Sequence, residues 1–122
     1  MADQPLVLVI EDDPGVAELI GDVLDTEGIT VLNARSSAEA IRLIEAGPRP
    51  GALVLDLMLN GGDGEALHHG LKERGITIPT VIVSGRDDAP GRAAQIGAAH
   101  VTKPFDVDHL AAVVRDALGV GR

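Results

Sequence analysis

Five short runs rich in Val, Ile and Leu, separated by amphipathic stretches, constrain this chain more than any other feature. The runs fall at residues 6–10, 30–33, 52–55, 80–83 and 100–102. They show little polar alternation, the pattern of strands buried on both faces of a parallel sheet. The stretches between them are about ten to fifteen residues long, enough for crossover helices. The chain therefore reads as an α/β domain built from five strand–helix units.

The punctuation supports this division. Asp13 before Pro14 reads as an N-cap with proline in the first turn, and Ser36 with Glu39 reads as a capping box. Asp63 and Asp106 are two further expected helix starts. Asp87 and Asp88 lead into a fourth helix around residues 89–94, whose start is poorly marked because Pro90 and Gly91 occupy its first turn. Gly28, Gly47, Gly75, Gly97 and Gly119 each follow a helical pattern and are expected as C′ glycines.

Composition narrows the function. A length of 122 residues fits one domain, residues 1–122 with a core at about 5–119, and leaves no segment for an effector domain. There is no cysteine, so disulfides, thiolate metal sites and thiol nucleophiles are excluded. Phe105 is the lone aromatic residue, which removes the stacking platforms used on single-stranded nucleic acid. Ten basic residues against 19 acidic ones give a net charge of −9, which repels phosphate backbones and argues against nucleic-acid binding. Residues 1–61 hold 3 basic and 11 acidic side chains, so the carboxylates concentrate in the first half. No apolar run approaches the ~20 residues that span a bilayer, and the start lacks a basic signal-peptide region. A cytoplasmic protein with no membrane contact is expected.

In open parallel sheets, ligands bind at the carboxyl ends of the strands. Glu11 and Asp12 follow the first run, Asp56 ends the third, Ser84 ends the fourth and Lys103 follows the fifth. Neighbouring strands lie about 4.8 Å apart, so these groups can share a small pocket. Crowded carboxylates raise one another's pKa unless a cation neutralises them, and Mg²⁺ suits one or two carboxylates with phosphate oxygens. An aspartate can also act as a nucleophile and form an acyl phosphate. Asp56 as nucleophile, Glu11 and Asp12 at the metal, and Ser84 with Lys103 on the phosphoryl oxygens form a complete set for phosphoryl transfer. Asp13 reads instead as a cap. His68 and His69 diverge by about 100° on a helix and cannot chelate one ion together. His109 reads as a polar-face residue of the last helix. Gly85 is expected to be small because a phosphoryl group approaches the backbone beside Ser84.

The segments Val9-Ile10-Glu11-Asp12-Asp13-Pro14, Leu53-Val54-Leu55-Asp56-Leu57-Met58-Leu59, Val81-Ile82-Val83-Ser84-Gly85 and Thr102-Lys103-Pro104-Phe105 resemble the receiver domain of two-component response regulators. The resemblance covers about residues 5–119. It implies a flavodoxin-like, doubly wound parallel sheet of strand order 2-1-3-4-5 with five helices. It further implies that Asp56 accepts a phosphoryl group from a histidine kinase or phosphotransfer protein. Mg²⁺ would be bound by Asp12, Asp56 and the Met58 carbonyl, with Glu11 acting mainly through water. Ser84 would act as the switch hydroxyl, and the Lys103–Pro104 bond is expected to be cis. Output would pass to a downstream protein through the surface of the fourth helix, fifth strand and fifth helix.

Two positions depart from the family pattern. Asn60 stands where a proline is usual four residues after the acceptor, and His100 stands where Tyr or Phe usually partners the switch hydroxyl. An imidazole turned inward needs a hydrogen-bond partner, and its protonation resists the inward state, so a pH-sensitive switch is expected. The main reading is a stand-alone phosphoacceptor switch that catalyses only its own phosphorylation and dephosphorylation. Its rivals are a receiver-fold interaction module that takes no phosphate, and a small aspartyl-nucleophile phosphatase. The phosphatase reading is weakened by Met58, where such enzymes carry a second acid.

Overall fold

A computed structural model describes residues 5–56, 64–85 and 88–119. Strands and helices alternate strictly: β1 (Leu6–Ile10), α1 (Pro14–Thr26), β2 (Thr30–Ala34), α2 (Ser37–Ala46), β3 (Ala52–Leu55), α3 (Gly64–Glu73), β4 (Thr80–Ser84), α4 (Ala89–Gln95), β5 (Ala99–Thr102) and α5 (Val107–Leu118). The strands form one parallel sheet of order β2-β1-β3-β4-β5, as the resemblance implied.

Both faces of the sheet are covered, and the two faces differ in side-chain size. Leu8, Ile10, Leu53, Leu55 and Ile82 point to one side, where α2, α3 and α4 answer with Ala40, Ala89 and Ala93 as well as Ile44, Leu67 and Leu71. Val7, Val9, Val54, Val81, Val83 and Val101 point to the other side, where α1 and α5 bring the larger Ile20, Leu24 and Leu110. The alanines of α2 and α4 make room for the larger sheet side chains on one face, and the larger residues of α1 and α5 fill the space over the valines on the other.

The helix ends follow the sequence signals with three exceptions. Asp13 Oδ1 accepts from the Gly15 and Val16 amides at 2.9 and 3.3 Å, and Asp106 Oδ1 accepts from Asp108 and His109 at 2.8 and 3.4 Å. Gly28, Gly75, Gly97 and Gly119 adopt left-handed φ angles of 71–77°, but Gly47 does not. It sits at φ −129°, because Pro48 forces the residue before it into extended backbone. The capping box is displaced: Ser36 Oγ accepts from the Glu39 amide at 3.1 Å, while the Glu39 carboxylate accepts from the Arg35 amide at 3.1 Å rather than from Ser36. Asp88 holds the N-cap position of α4 with helical backbone and makes no side-chain cap bond. The expected starts at Asp63 and Asp87 lie outside the described residues.

Candidate functional site

Register brings the acidic groups together. Ile10 pairs with Leu55 across β1 and β3, so Glu11 and Asp56 leave adjacent strands at the same level. Backbone bonds extend the ladder past the strand ends: the Glu11 amide donates to Ala34 O at 3.0 Å and the Asp56 amide to Ile10 O at 3.2 Å. On the far side of β4, the Lys103 amide donates to Ser84 O at 3.1 Å. Glu11, Asp56, Ser84 and Lys103 are therefore fixed at the strand ends by the sheet itself.

Lys103 and three carboxylates converge. Lys103 Nζ lies 3.0 Å from Asp56 Oδ2 and 3.4 Å from Glu11 Oε1. Glu11, Asp12 and Asp56 each place a carboxylate oxygen within 4.8 Å of the others. Asp56 is 6% exposed and Glu11 3%, while Asp12 is half-buried. Ser84 is fully buried at the end of β4. The Lys103–Pro104 peptide bond is cis.

Three carboxylates against one ammonium set the electrostatics. Burial pushes the Glu11 carboxyl above the ordinary 4.5; the Asp56 charge adds to this, while the Asp13 amide and Lys103 partly offset it. Burial alone would lower the Lys103 ammonium, but its hydrogen bond and charge contact with Asp56, then those with Glu11, outweigh it and hold the pKa above 10.5. The Asp13 amide donates to Glu11 Oε2 at 3.2 Å. Sequence reasoning gave Asp13 only its capping role, because a backbone donor leaves no mark in residue type.

Met58, the expected carbonyl ligand, and Asn60 lie outside the described residues. His100 shares a register pair with Ile82, half-buried, and its Nε2 is buried with no hydrogen-bond partner. The partner that an inward imidazole was expected to need is thus missing. A Cβ on Gly85 would meet Lys103 O at 3.5 Å, an ordinary contact, so the surrounding protein atoms do not by themselves require glycine there.

Among the described residues, Glu11, Asp12 and Asp56 are the acidic or histidine group able to hold a metal ion; His68 and His69 instead stack edge to face, 5.7 Å between ring centres. The donor set is all oxygen and closely spaced, which fits Mg²⁺. Beside the pocket, Val16, Leu19, Pro104 and Phe105 line an open apolar hollow of about 430 Å³ that reaches Lys103, with Leu19 47% exposed. No described helix is long and apolar enough to cross a membrane.

The model of the response regulator receiver domain family matches residues 7–115. The response regulator MprA of Mycobacterium ulcerans is 35% identical over 115 residues, covering 92% of this chain and 49% of that protein. The uncharacterized transcriptional regulatory protein YbdJ of Bacillus subtilis is 30% identical over 114 residues, 92% of this chain and 50% of that one. The chain spans about half the length of the curated relatives it matches. Among solved structures, the receiver domain of the Francisella response regulator 1452 superposes with a TM-score of 0.85 at 29% identity, covering 95% of this chain and 98% of that one. The receiver domain of NtrX from Brucella abortus gives 0.84 at 29% identity, with 94% and 99% covered.

Proposed function

Because the chain belongs to the response regulator receiver domain family, we propose that it is a Mg²⁺-dependent phosphoacceptor switch whose Asp56 takes a phosphoryl group from the phosphohistidine of a kinase or phosphotransfer protein. The observation that carries this reading is the contact of Lys103 Nζ with Asp56 Oδ2 at 3.0 Å, inside the trio formed with Glu11 and Asp12. The Asp56 carboxylate attacks phosphorus, an O–P bond forms, and the N–P bond to the donor imidazole breaks. Lys103 holds one Asp56 oxygen, which fixes the carboxylate and limits the orientations open to the nucleophile. Its ammonium then stands beside the incoming phosphoryl oxygens, where negative charge gathers. Ser84 supplies a hydroxyl from the end of β4.

Glu11, Asp12 and Asp56 would hold Mg²⁺, which, when bound, neutralises charge on the phosphoryl oxygens. Burial of Asp56 and Glu11 excludes bulk water and strengthens these interactions. The hollow at Val16, Leu19 and Phe105 opens beside Lys103 and suits the apolar surface of the phosphodonor protein. Output passes by protein contact across the α4–β5–α5 surface.

Incubation with Mg²⁺ and a small acyl phosphate, read by intact mass, tests the proposal. One added phosphoryl group is expected on the native chain, and none on Asp56→Asn or when the metal is chelated. An unlabelled native chain would instead support a receiver-fold interaction module.

A further inference from the structure

The amino-terminal end of β4 carries a second cavity, four residue steps from Ser84 and therefore about 13 Å away along the strand. It has a volume of about 210 Å³ and lies between α3, the segment leading into β4 and the end of α4. Leu71, Ile76, Ile78 and Ile96 form its apolar walls, and His68 with Lys72 supply its basic side. His68 and Lys72 are four residues apart on α3, so they share one helix face. The nearby Thr80 hydroxyl donates to Ile78 O at 3.0 Å and is committed to the backbone.

Among the described residues, Lys72 has no carboxylate partner, although the chain as a whole is acidic. Partial burial, then the neighbouring His69 and Lys72, holds the His68 imidazole below its ordinary 6.5. An anion between His68 and Lys72 would relieve this excess of positive potential. Size limits what else the ligand carries. A dry cavity of about 150 Å³ admits benzene, whereas drug-sized ligands need about 300 Å³ or more. An inorganic anion would leave the isoleucine walls unused, and a neutral hydrocarbon would leave the Lys72 ammonium unpaired.

We infer that this cavity is a binding site for a small aromatic or branched-chain monocarboxylate, its apolar body against Leu71, Ile76, Ile78 and Ile96 and its carboxylate on Lys72 and His68. The site shares no residue with the Asp56 pocket, so it stands apart from the phosphoacceptor reading.

Benzoate titrated into the isotope-labelled chain at constant pH and ionic strength, followed by NMR, tests the inference. Saturable shifts of the Ile76, Ile78 and Ile96 methyls and the His68 ring are expected, with the millimolar affinity usual for so small a ligand. Lys72 is exposed, so Lys72→Met should keep the native spectrum and bind benzoate at least about tenfold more weakly. Benzamide and inorganic phosphate should each bind more weakly than benzoate, and Asp56→Asn should bind benzoate as the native chain does. Absence of saturable shifts at these residues, equal binding by Lys72→Met, or equal binding of benzamide or phosphate would overturn the assignment.

Discussion

Glu11 and Asp56 are neighbours because the residues preceding them, Ile10 and Leu55, are register partners on β1 and β3. The strand pairing that buries two core side chains thus also forces two carboxylates together at the edge of the sheet. Lys103, arriving from the far side of β4, contacts both. The pocket is assembled against its own repulsion by the hydrophobic order of the sheet.

Removing one carboxylate should therefore stabilise the metal-free protein. Asp12 is the half-buried member of the trio and is the one to change. Asp12→Asn keeps the shape and removes one like charge, so a gain of about 1 kcal/mol, or roughly 3–5 °C in Tm, is expected in the presence of chelator. Adding Mg²⁺ should raise the Tm of the native chain and leave that of the variant nearly unchanged, since a ligand stabilises only the state that binds it. Thermal unfolding with and without Mg²⁺ measures both effects. A native Tm indifferent to Mg²⁺ would remove the metal site.

Glu11 gives the pocket a definite pH dependence. Its folded pKa lies above the ordinary 4.5, so the folded state binds this proton more tightly than the unfolded chain. Its stabilising contribution is complete below about 4.5 and is lost as pH rises through the folded value. Glu11→Gln cannot lose it. In chelator, the Tm of Glu11→Gln relative to native should rise from about pH 4 to about pH 7. Calorimetry across that range checks the sign; a falling difference would show that Glu11 is held ionised by its partners.

The parts of this arrangement legible in sequence are those set by apolar runs and by short-range caps. β1 and β3 have the expected bounds because their residues are apolar throughout and paired on both sides. β2 and β4 each run one residue further, to Ala34 and Ser84, because neighbouring strands continue the ladder there. That extension is a tertiary effect. Gly47 ends α2 as expected but in extended backbone, because the left-handed preference of a C′ glycine yields to the steric demand of the following proline. The convergence of Glu11, Asp56 and Lys103 was legible once strand ends were identified. The second cavity was not, since it joins the side of α3, a loop and the end of α4, which no local pattern links.

Lys103 should matter more to chemistry than to stability. It is partly exposed, which screens its ion pairs, so Lys103→Met should cost only about 1 kcal/mol in Mg²⁺-free unfolding. Its pKa, held above 10.5, keeps the ammonium charged throughout the neutral range. Loss of that charge beside the phosphoryl oxygens should slow phosphorylation of Asp56 by about 100-fold or more, on the scale of a lost oxyanion donor. Labelling time courses with a small acyl phosphate give the rate. Labelling of Lys103→Met at the native rate would leave Lys103 a structural counter-ion only.

His100 is the residue at which local chemistry and fold disagree. Its Nε2 is buried without a partner, and its register partner Ile82 places the ring on the face covered by α4. A buried unpartnered polar group costs about 1–3 kcal/mol, and the half-buried ring points to the lower end of that range. His100→Phe should therefore unfold at higher denaturant concentration with an unchanged m-value, a gain of about 1 kcal/mol. Carrying the polar ring further inward would raise that cost, so beryllium fluoride, as a phosphoryl mimic, should produce a smaller spectral change in the native chain than in His100→Phe. With mimic occupancy matched, an identical response of the two would take His100 out of the switch and leave it a half-buried side chain with a local cost.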